Sequence, residues 1–139
     1  LTAPLNESIQ CYPSDPPFQR SWFVQIKDTG MNVSKLAMGA HCGTHVDAPL
    51  HFQDDGGDIT TLPLRSFMGP GIVINSPKKS GENISLGDLN GVDIHHDTIV
   101  LFHTGWEDRA NSPRFFEDEW PGFDPEVVQA LLAKKVKIS

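Results

Sequence analysis

The stretch HCGTHVDAPLHF, residues 41–52, organises the whole chain. Within eleven residues it holds three of the six histidines of the sequence and one aspartate: His41, His45, Asp47 and His51. All four stand at odd positions, so in an extended backbone, where side chains alternate between two faces, they would share one face. Imidazole and carboxylate groups are the donors that zinc, manganese and ferrous iron bind. The stretch therefore predicts a metal site, rather than structural or surface histidines.

A straight strand cannot build that site. At roughly 3.3 Å per residue it would hold His41 and His45 about 13 Å apart, too far to share one ion. Gly43 lies between them and allows a bend because it has no Cβ, and Pro49 makes a second rigid corner before His51. We expect a bent strand or loop that turns these side chains inward.

Two other interpretations of the stretch are disfavoured. A helical HExxH zinc motif needs a glutamate where this chain has Cys42, and the neighbouring Gly43 and Thr44 disfavour a helix. A nucleophilic role for Cys42 lacks an independent histidine and asparagine pair, and this residue alternates away from the ligand face.

The stretch resembles the HxGTHxDxPxHF signature of the cyclase family of metal-dependent hydrolases, which includes bacterial kynurenine formamidase and isatin hydrolase, and every fixed position is present. Four other segments are similar to that family: LTAPL at 1–5, YPSDP at 12–16, NVS at 32–34 and VLFHTGW at 100–106. The resemblance runs nearly end to end and stops short of a whole family domain.

The resemblance implies a fold. It indicates one cyclase-like domain over residues 1–139, α/β in class, with a mixed, partly barrel-like sheet and peripheral helices in the swivelling β/β/α arrangement. Family members continue into a C-terminal part whose distal histidine and glutamate complete a two-metal site. A fragment, a one-metal site and a site completed by a partner chain all remain open.

The resemblance also implies an activity, the hydrolysis of a small amide, either an aryl formamide or a cyclic amide, by metal-activated water. His41, His45 and Asp47 are the predicted ligands of a divalent metal, zinc or manganese, and the family's equivalent of Asp47 can bridge a second ion. His51 matches the family's acid/base histidine, and an unperturbed imidazole pKa near ~6.5 suits that role. Thr44 is expected to hydrogen-bond a ligand.

Two alternatives from other classes stay beside this hypothesis. One is a non-catalytic protein that binds a metal or a small molecule and has an incomplete site. The other is a structural domain with vestigial histidines.

Three aromatic residues are candidates for a substrate pocket: Trp22, Phe23 and Trp106. Aromatic side chains in predicted strands are more often part of the core, which is the competing interpretation. His103 stands where the family often has an arginine, so no carboxylate-binding group is inferred there.

Composition limits the partners. The net charge of -7 disfavours nucleic acid and anionic membranes, and no apolar run approaches the roughly 20 residues of a transmembrane helix. The resemblance to the cyclase family implies a small-molecule substrate, and it implies a homo-oligomer because the family's oligomers place their active sites near subunit contacts. Two cysteines, Cys11 and Cys42, are too few for a disulfide framework, so we expect reduced thiols and a cytoplasmic protein, with a secreted protein holding one bridge left open.

Local patterns predict the elements around residues 41–52, which are called the metal loop below. Ser85 with Asp88 predicts a capped short helix, and Asp124-Pro125-Glu126 predicts the start of a longer one. The predicted strands are 22–26 and 33–38, forming a hairpin that delivers the ligands, then the buried strands 71–75 and 98–102, and the opening of one more strand at 136–138.

Overall fold

The computed structural model describes residues 2–110, 112 and 114–137. Its strands are β1 (Gln19–Val24), β2 (Val33–Ala37), β3 (Gly71–Asn75) and β4 (Ile99–His103), and its α-helices are α1 (Ile26–Thr29) and α2 (Pro125–Ala133). Short 3-10 turns, including Pro49–His51 and Trp106–Arg109, connect them.

The predicted hairpin is present, with its first strand displaced. β1 pairs antiparallel with β2, from Gln19 opposite Ala37 to Trp22 opposite Ser34. β1 begins earlier than predicted and ends at Val24, because Ile26 opens the short helix α1 instead of extending the strand.

Both predicted aromatic residues of β1 are exposed. Trp22 keeps 49% of its surface accessible and Phe23 keeps 71%. The interpretation of these residues as core is therefore wrong, because both side chains are exposed on the hairpin.

The second sheet is a parallel pair. β3 pairs with β4 from Gly71 opposite Ile99 to Asn75 opposite His103. The bounds of β3 are those predicted, whereas β4 lies one residue later than predicted. Ile74 on β3 is buried, but Val73 is exposed, so the continuous apolar run does not indicate burial on both faces.

One hydrophobic core lies against this parallel pair. Its buried members come from both strands, from the connections between them and from α2: Ile74, Ile84, Ile94, Val100, Val127 and Leu131. The spacing of Val127 and Leu131 is one helical turn, which places both on the face of α2 that meets the sheet. Leu132, the next residue along α2, is 69% exposed.

The predicted starts of the two helices are confirmed, but one predicted cap is not present. Ser85 and Asp88 form the predicted capping box, and α2 begins at Pro125. Asp124 precedes α2, but its side chain caps no backbone N–H of the helix. It accepts a hydrogen bond from Asn83 Nδ2 at 3.2 Å instead.

The predicted mixture of strands and helices is present, whereas the partly barrel-like sheet and the peripheral helices stay predictions. Within the described residues the strands form two separate two-stranded sheets, and they do not form a closed barrel. Val136 and Lys137 lie outside any strand, and Ile138 of the predicted 136–138 strand lies outside the described residues. Among the described helices, none is long and apolar enough to cross a membrane.

Candidate metal centre

The metal loop follows directly from the hairpin. β2 ends at Ala37, and the chain turns at Gly43, whose φ of +84° lies in the left-handed region that favours glycine. A Cβ at this position would stand 3.1 Å from Ile9 Cδ1 and 3.3 Å from Leu5 Cδ1. The predicted bend at Gly43 is thus confirmed, and the N-terminal segment packs over it.

The turn brings three predicted ligands together. His41 Nδ1 lies 2.9 Å from Asp47 Oδ1 and 3.1 Å from His45 Nε2, and His45 Nε2 lies 3.3 Å from Asp47 Oδ1. Donors bound at ~2.0–2.1 Å around a tetrahedral ion stand about 3.4 Å apart. The donor set and its spacing therefore fit one divalent cation.

The ring of His45 is oriented by the backbone. Its Nδ1 lies 2.8 Å from the carbonyl oxygen of Gly43. An N–H donated to this oxygen places the proton on Nδ1 and leaves the Nε2 lone pair facing the cluster, as metal-ligating histidines require. The same glycine thus bends the chain and orients one ligand.

His51 adjoins the cluster. Its ring stacks on that of His41 with centroids 3.8 Å apart and an interplanar angle of 33°. Donor atoms of His41, Asp47 and His51 all lie within 4.8 Å of one another. His51 is close enough to exchange protons at the site or to act as a further ligand, so its predicted acid/base role stays a prediction.

The cluster is open to solvent on one side. The side chains of His41, His45 and Asp47 retain 34%, 32% and 43% of their exposure. Three partly exposed donor groups leave room at the cluster for water and a small molecule.

Thr44 has a different partner from the predicted one. Its Oγ1 accepts a hydrogen bond from the backbone N–H of Ala3 at 3.1 Å. This bond ties the N-terminal segment to the metal loop. Thr44 therefore supports the loop from outside, and its predicted hydrogen bond to a metal ligand is absent from the described contacts.

The three candidate pocket residues lie in different surroundings. Trp22 and Phe23 are on the exposed hairpin. Trp106 is buried, with the Arg109 guanidinium 4.6 Å from its ring centre. Its role as a pocket wall, like that of Trp22 and Phe23, stays a prediction.

A cavity of about 550 Å³ lies beside Thr44, and the sequence did not predict it. Its apolar wall includes Val73, Leu101 and Phe102. The polar end is His103, whose Nε2 lies 2.6 Å from Glu107 Oε1 and whose Nδ1 lies 2.9 Å from Asn75 Oδ1. The available signal was positional, because Asn75 ends the predicted strand 71–75 and His103 directly follows the predicted strand 98–102.

The cysteines differ from the expectation of reduced thiols. Cys11 and Cys42 form a disulfide that joins the N-terminal segment to the metal loop, with their Cα atoms 5.0 Å apart. Composition predicted the absence of a disulfide framework, but only the folded chain brings these two residues together. Because its sulfur is bonded to Cys11, Cys42 is not a free thiol.

Comparisons with known proteins find relatives along nearly the whole chain. The kynurenine formamidase of Geobacillus thermodenitrificans strain NG80-2 is 33% identical over 138 residues, which are 96% of this chain and 62% of that protein. The kynurenine formamidase of Bacillus mycoides strain KBAB4 is 30% identical over 140 residues, covering 99% of this chain and 64% of that protein.

Solved structures share the fold. Isatin hydrolase A from Ralstonia solanacearum superposes with a TM-score of 0.83 at 24% identity, covering 98% of this chain and 62% of that one. A structure described as a potential metal-dependent hydrolase with cyclase activity has a TM-score of 0.72 at 25% identity, with 97% and 62% covered. The chain thus spans less than two thirds of the length of these relatives.

The Cyclase family model matches residues 1–139, the full length of the sequence. This match and the relatives above confirm the resemblance first seen in residues 41–52. The chain belongs to the cyclase family.

Proposed function

We propose that this chain is part of a metal-dependent hydrolase that cleaves a small amide, either an aryl formamide or a cyclic amide. The observation that carries the proposal is the cluster of His41, His45 and Asp47 donor atoms, all within 3.3 Å of one another. The relatives named kynurenine formamidase and isatin hydrolase support these two classes of amide.

The three clustered residues would hold a divalent cation, zinc or manganese. Two neutral imidazole nitrogens and one carboxylate oxygen suit either ion. When bound, such an ion lowers the pKa of water from ~15.7 toward ~7 and polarises a carbonyl group. The chain contributes the fixed loop, in which the Gly43 carbonyl holds the His45 ring in place.

His51 would move the proton. One ring nitrogen accepts a proton from the attacking water and the imidazolium then donates it to the departing amide nitrogen, so the residue ends as it began. Stacking on His41 holds the ring beside the cluster. The side chain of His51 is exposed, which allows it to exchange protons with solvent between turnovers.

The first experiment tests the ligands. In Asp47→Ala, the loss of the oxygen donor should remove stoichiometric zinc or manganese and abolish turnover of N-formylkynurenine and isatin. Asp54→Ala, an exposed carboxylate in the next loop, is the matched control and should keep both. Metal content by plasma mass spectrometry decides the matter, and full metal occupancy in Asp47→Ala would contradict the ligand assignment.

The second experiment separates His51 from the ligands. His51→Ala should keep most of the metal and lose about 100-fold or more of kcat, because general acid/base groups contribute ~10²–10⁴-fold. His95→Ala, an exposed histidine, is the control. A variant that loses metal instead would make His51 a ligand, and one that stays fully active would rule out the proton role.

A second candidate function is a non-catalytic protein that binds a metal or small molecule. It is favoured by the fact that all three clustered donors come from one loop, which can hold an ion without any distal residue. Stoichiometric metal without turnover of either amide class would support this candidate over the hydrolase.

We also infer that the chain assembles as a homo-oligomer. Apolar side chains of the hairpin are exposed, including Trp22, Phe23 and Leu36, and such patches commonly mark interfaces. Sedimentation equilibrium of the chain and of Phe23→Ser tests this, with Ser21→Ala as a control on the same strand. A monomeric parent chain would contradict it.

A further inference from the structure

The disulfide joins the N-terminal segment to the beginning of the metal loop. Cys42 directly follows His41 and precedes Gly43, the residue at which the chain bends. It is 3% exposed, and its sulfur is bonded to Cys11, which is 31 residues earlier and partly exposed. One covalent bond therefore anchors the residue between a ligand and the bend.

The other contacts between the N-terminal segment and the loop are weaker. They include the hydrogen bond from Ala3 to Thr44, the approach of Leu5 and Ile9 to the side of Gly43 that lacks a Cβ, and a 3.0 Å backbone hydrogen bond from Gly39 to Pro16. The Ala3 bond is exposed and Leu5 is about half exposed. Segments with few buried contacts open locally at low free-energy cost.

From this arrangement we propose that the Cys11–Cys42 disulfide is a redox-sensitive strap that sets the affinity of the His41, His45 and Asp47 cluster for its metal. The inference rests on the metal site proposed above. With the strap closed, the three donors are pre-arranged, so binding does not have to order the loop. With the strap open, only a fraction of molecules present the arrangement, and the apparent affinity falls by that fraction.

The redox step is a thiol–disulfide exchange with a small-molecule thiol. The thiolate attacks the sulfur of Cys11, the more exposed of the two, and forms a mixed disulfide while the Cys42 sulfur leaves and takes up a proton. A second thiol then attacks the mixed disulfide and releases Cys11 as a thiol. Two electrons and two protons reach the protein, and two small thiols become one disulfide.

Zinc affinity of the oxidised and reduced chain tests the proposal directly. A water-soluble phosphine serves as reductant, since it supplies the same two electrons, becomes the phosphine oxide and adds no competing thiol. Counting free thiols verifies each state, and competition with a chromophoric chelator measures the zinc affinity. We expect zinc to bind about tenfold more weakly after reduction, and reoxidation to restore the original affinity.

The double variant Cys11→Ser with Cys42→Ser is the matched control, because it removes the strap and any zinc binding by free thiols. It should show the weaker affinity with and without phosphine. Equal zinc affinities of the oxidised and reduced parent chain, with two free thiols counted in the latter, would overturn the proposal.

Amide hydrogen exchange of the metal-free chain provides a readout independent of zinc. Residues 39–45 should exchange faster after reduction, whereas the α2 core should not change. A chain that binds no zinc in either state would contradict the proposed hydrolase, and the exchange rates would still test the strap. Unchanged exchange in 39–45 would overturn the strap itself, whatever the function of the site.

Discussion

At the scale of single residues, Gly43 has the most consequences for the site. It bends the chain between two ligands, its carbonyl oxygen orients His45, and its lack of a Cβ admits Leu5 and Ile9. The motif spacing predicted the bend because a straight backbone could not bring the donors together. The orientation of His45 and the apolar cover required the folded chain.

Gly43→Ala should weaken both the fold and the metal site. An alanine at φ +84° costs about 1–2 kcal/mol, and its Cβ would press on Ile9 at 3.1 Å. We expect the free energy of unfolding, measured in urea, to fall by that amount. Zinc affinity should fall by a larger factor, because relaxation of the strained backbone moves the ligands. Gly87→Ala, where a Cβ would meet only an ordinary contact at 3.4 Å, is the control. Unchanged zinc affinity in Gly43→Ala would contradict this account of the bend.

At the scale of elements, the capping box at Ser85 is the clearest case of a local signal with a tertiary extension. Asp88 Oδ2 accepts hydrogen bonds from the Ser85 N–H at 2.7 Å and from Lys78 Nζ at 2.8 Å, and Oδ1 accepts one from Ser76 Oγ at 2.7 Å. The spacing of Ser85 and Asp88 predicted the cap. The ion pair with Lys78 and the hydrogen bond from Ser76 form because the 3-10 helix Leu86–Leu89 packs against the end of β3.

The same cluster predicts a pH dependence of stability. Desolvation raises the pKa of Asp88, but the hydrogen bonds from Lys78 and Ser76 outweigh it and hold that pKa far below its ordinary value. Since the folded pKa is lowered, the stabilisation is complete above the unfolded pKa of ~3.9 and is lost as the pH falls below it.

Asp88→Asn measures that contribution. At pH 7 it should cost about 2–3 kcal/mol in urea unfolding, because the largely buried Lys78 loses its partner. The difference in the free energy of unfolding between the parent chain and the variant should become smaller as the pH falls from 5 to 2.5. Asp93→Asn, an exposed aspartate, should cost little at either pH. A gap that is constant with pH would show that the charge of Asp88 does not stabilise the fold.

At the scale of the whole molecule, metal binding and folding should be coupled. The ligands share one loop that several tertiary contacts hold, so the unfolded chain presents no comparable site. Free zinc at about 100 times its dissociation constant adds ~2.7 kcal/mol of stability, which is roughly a 10 °C rise in Tm for a domain of this size. Calorimetry with zinc and with a chelator measures the shift, and Asp47→Ala should show none. Equal Tm values for the parent chain with and without zinc would argue against the site.

The amino-acid sequence by itself determined the features that depend on neighbouring residues. Residues within a few positions of one another were enough to predict four features: the spacing of His41, His45 and Asp47, the bounds of β3, the Ser85 capping box and the start of α2 at Pro125. Their physical basis is backbone geometry and side-chain periodicity, which act locally whatever the rest of the chain does.

Only the tertiary structure decided which distant groups meet. It paired Cys11 with Cys42, left Phe23 exposed and directed Asp124 to Asn83 instead of its own helix. These outcomes depend on how separate elements pack, and residue types alone do not encode a partner 31 or 41 positions away. The candidate ligands of the loop are therefore close together in the sequence, whereas the contacts that fix the shape of the loop come from distant parts of the chain.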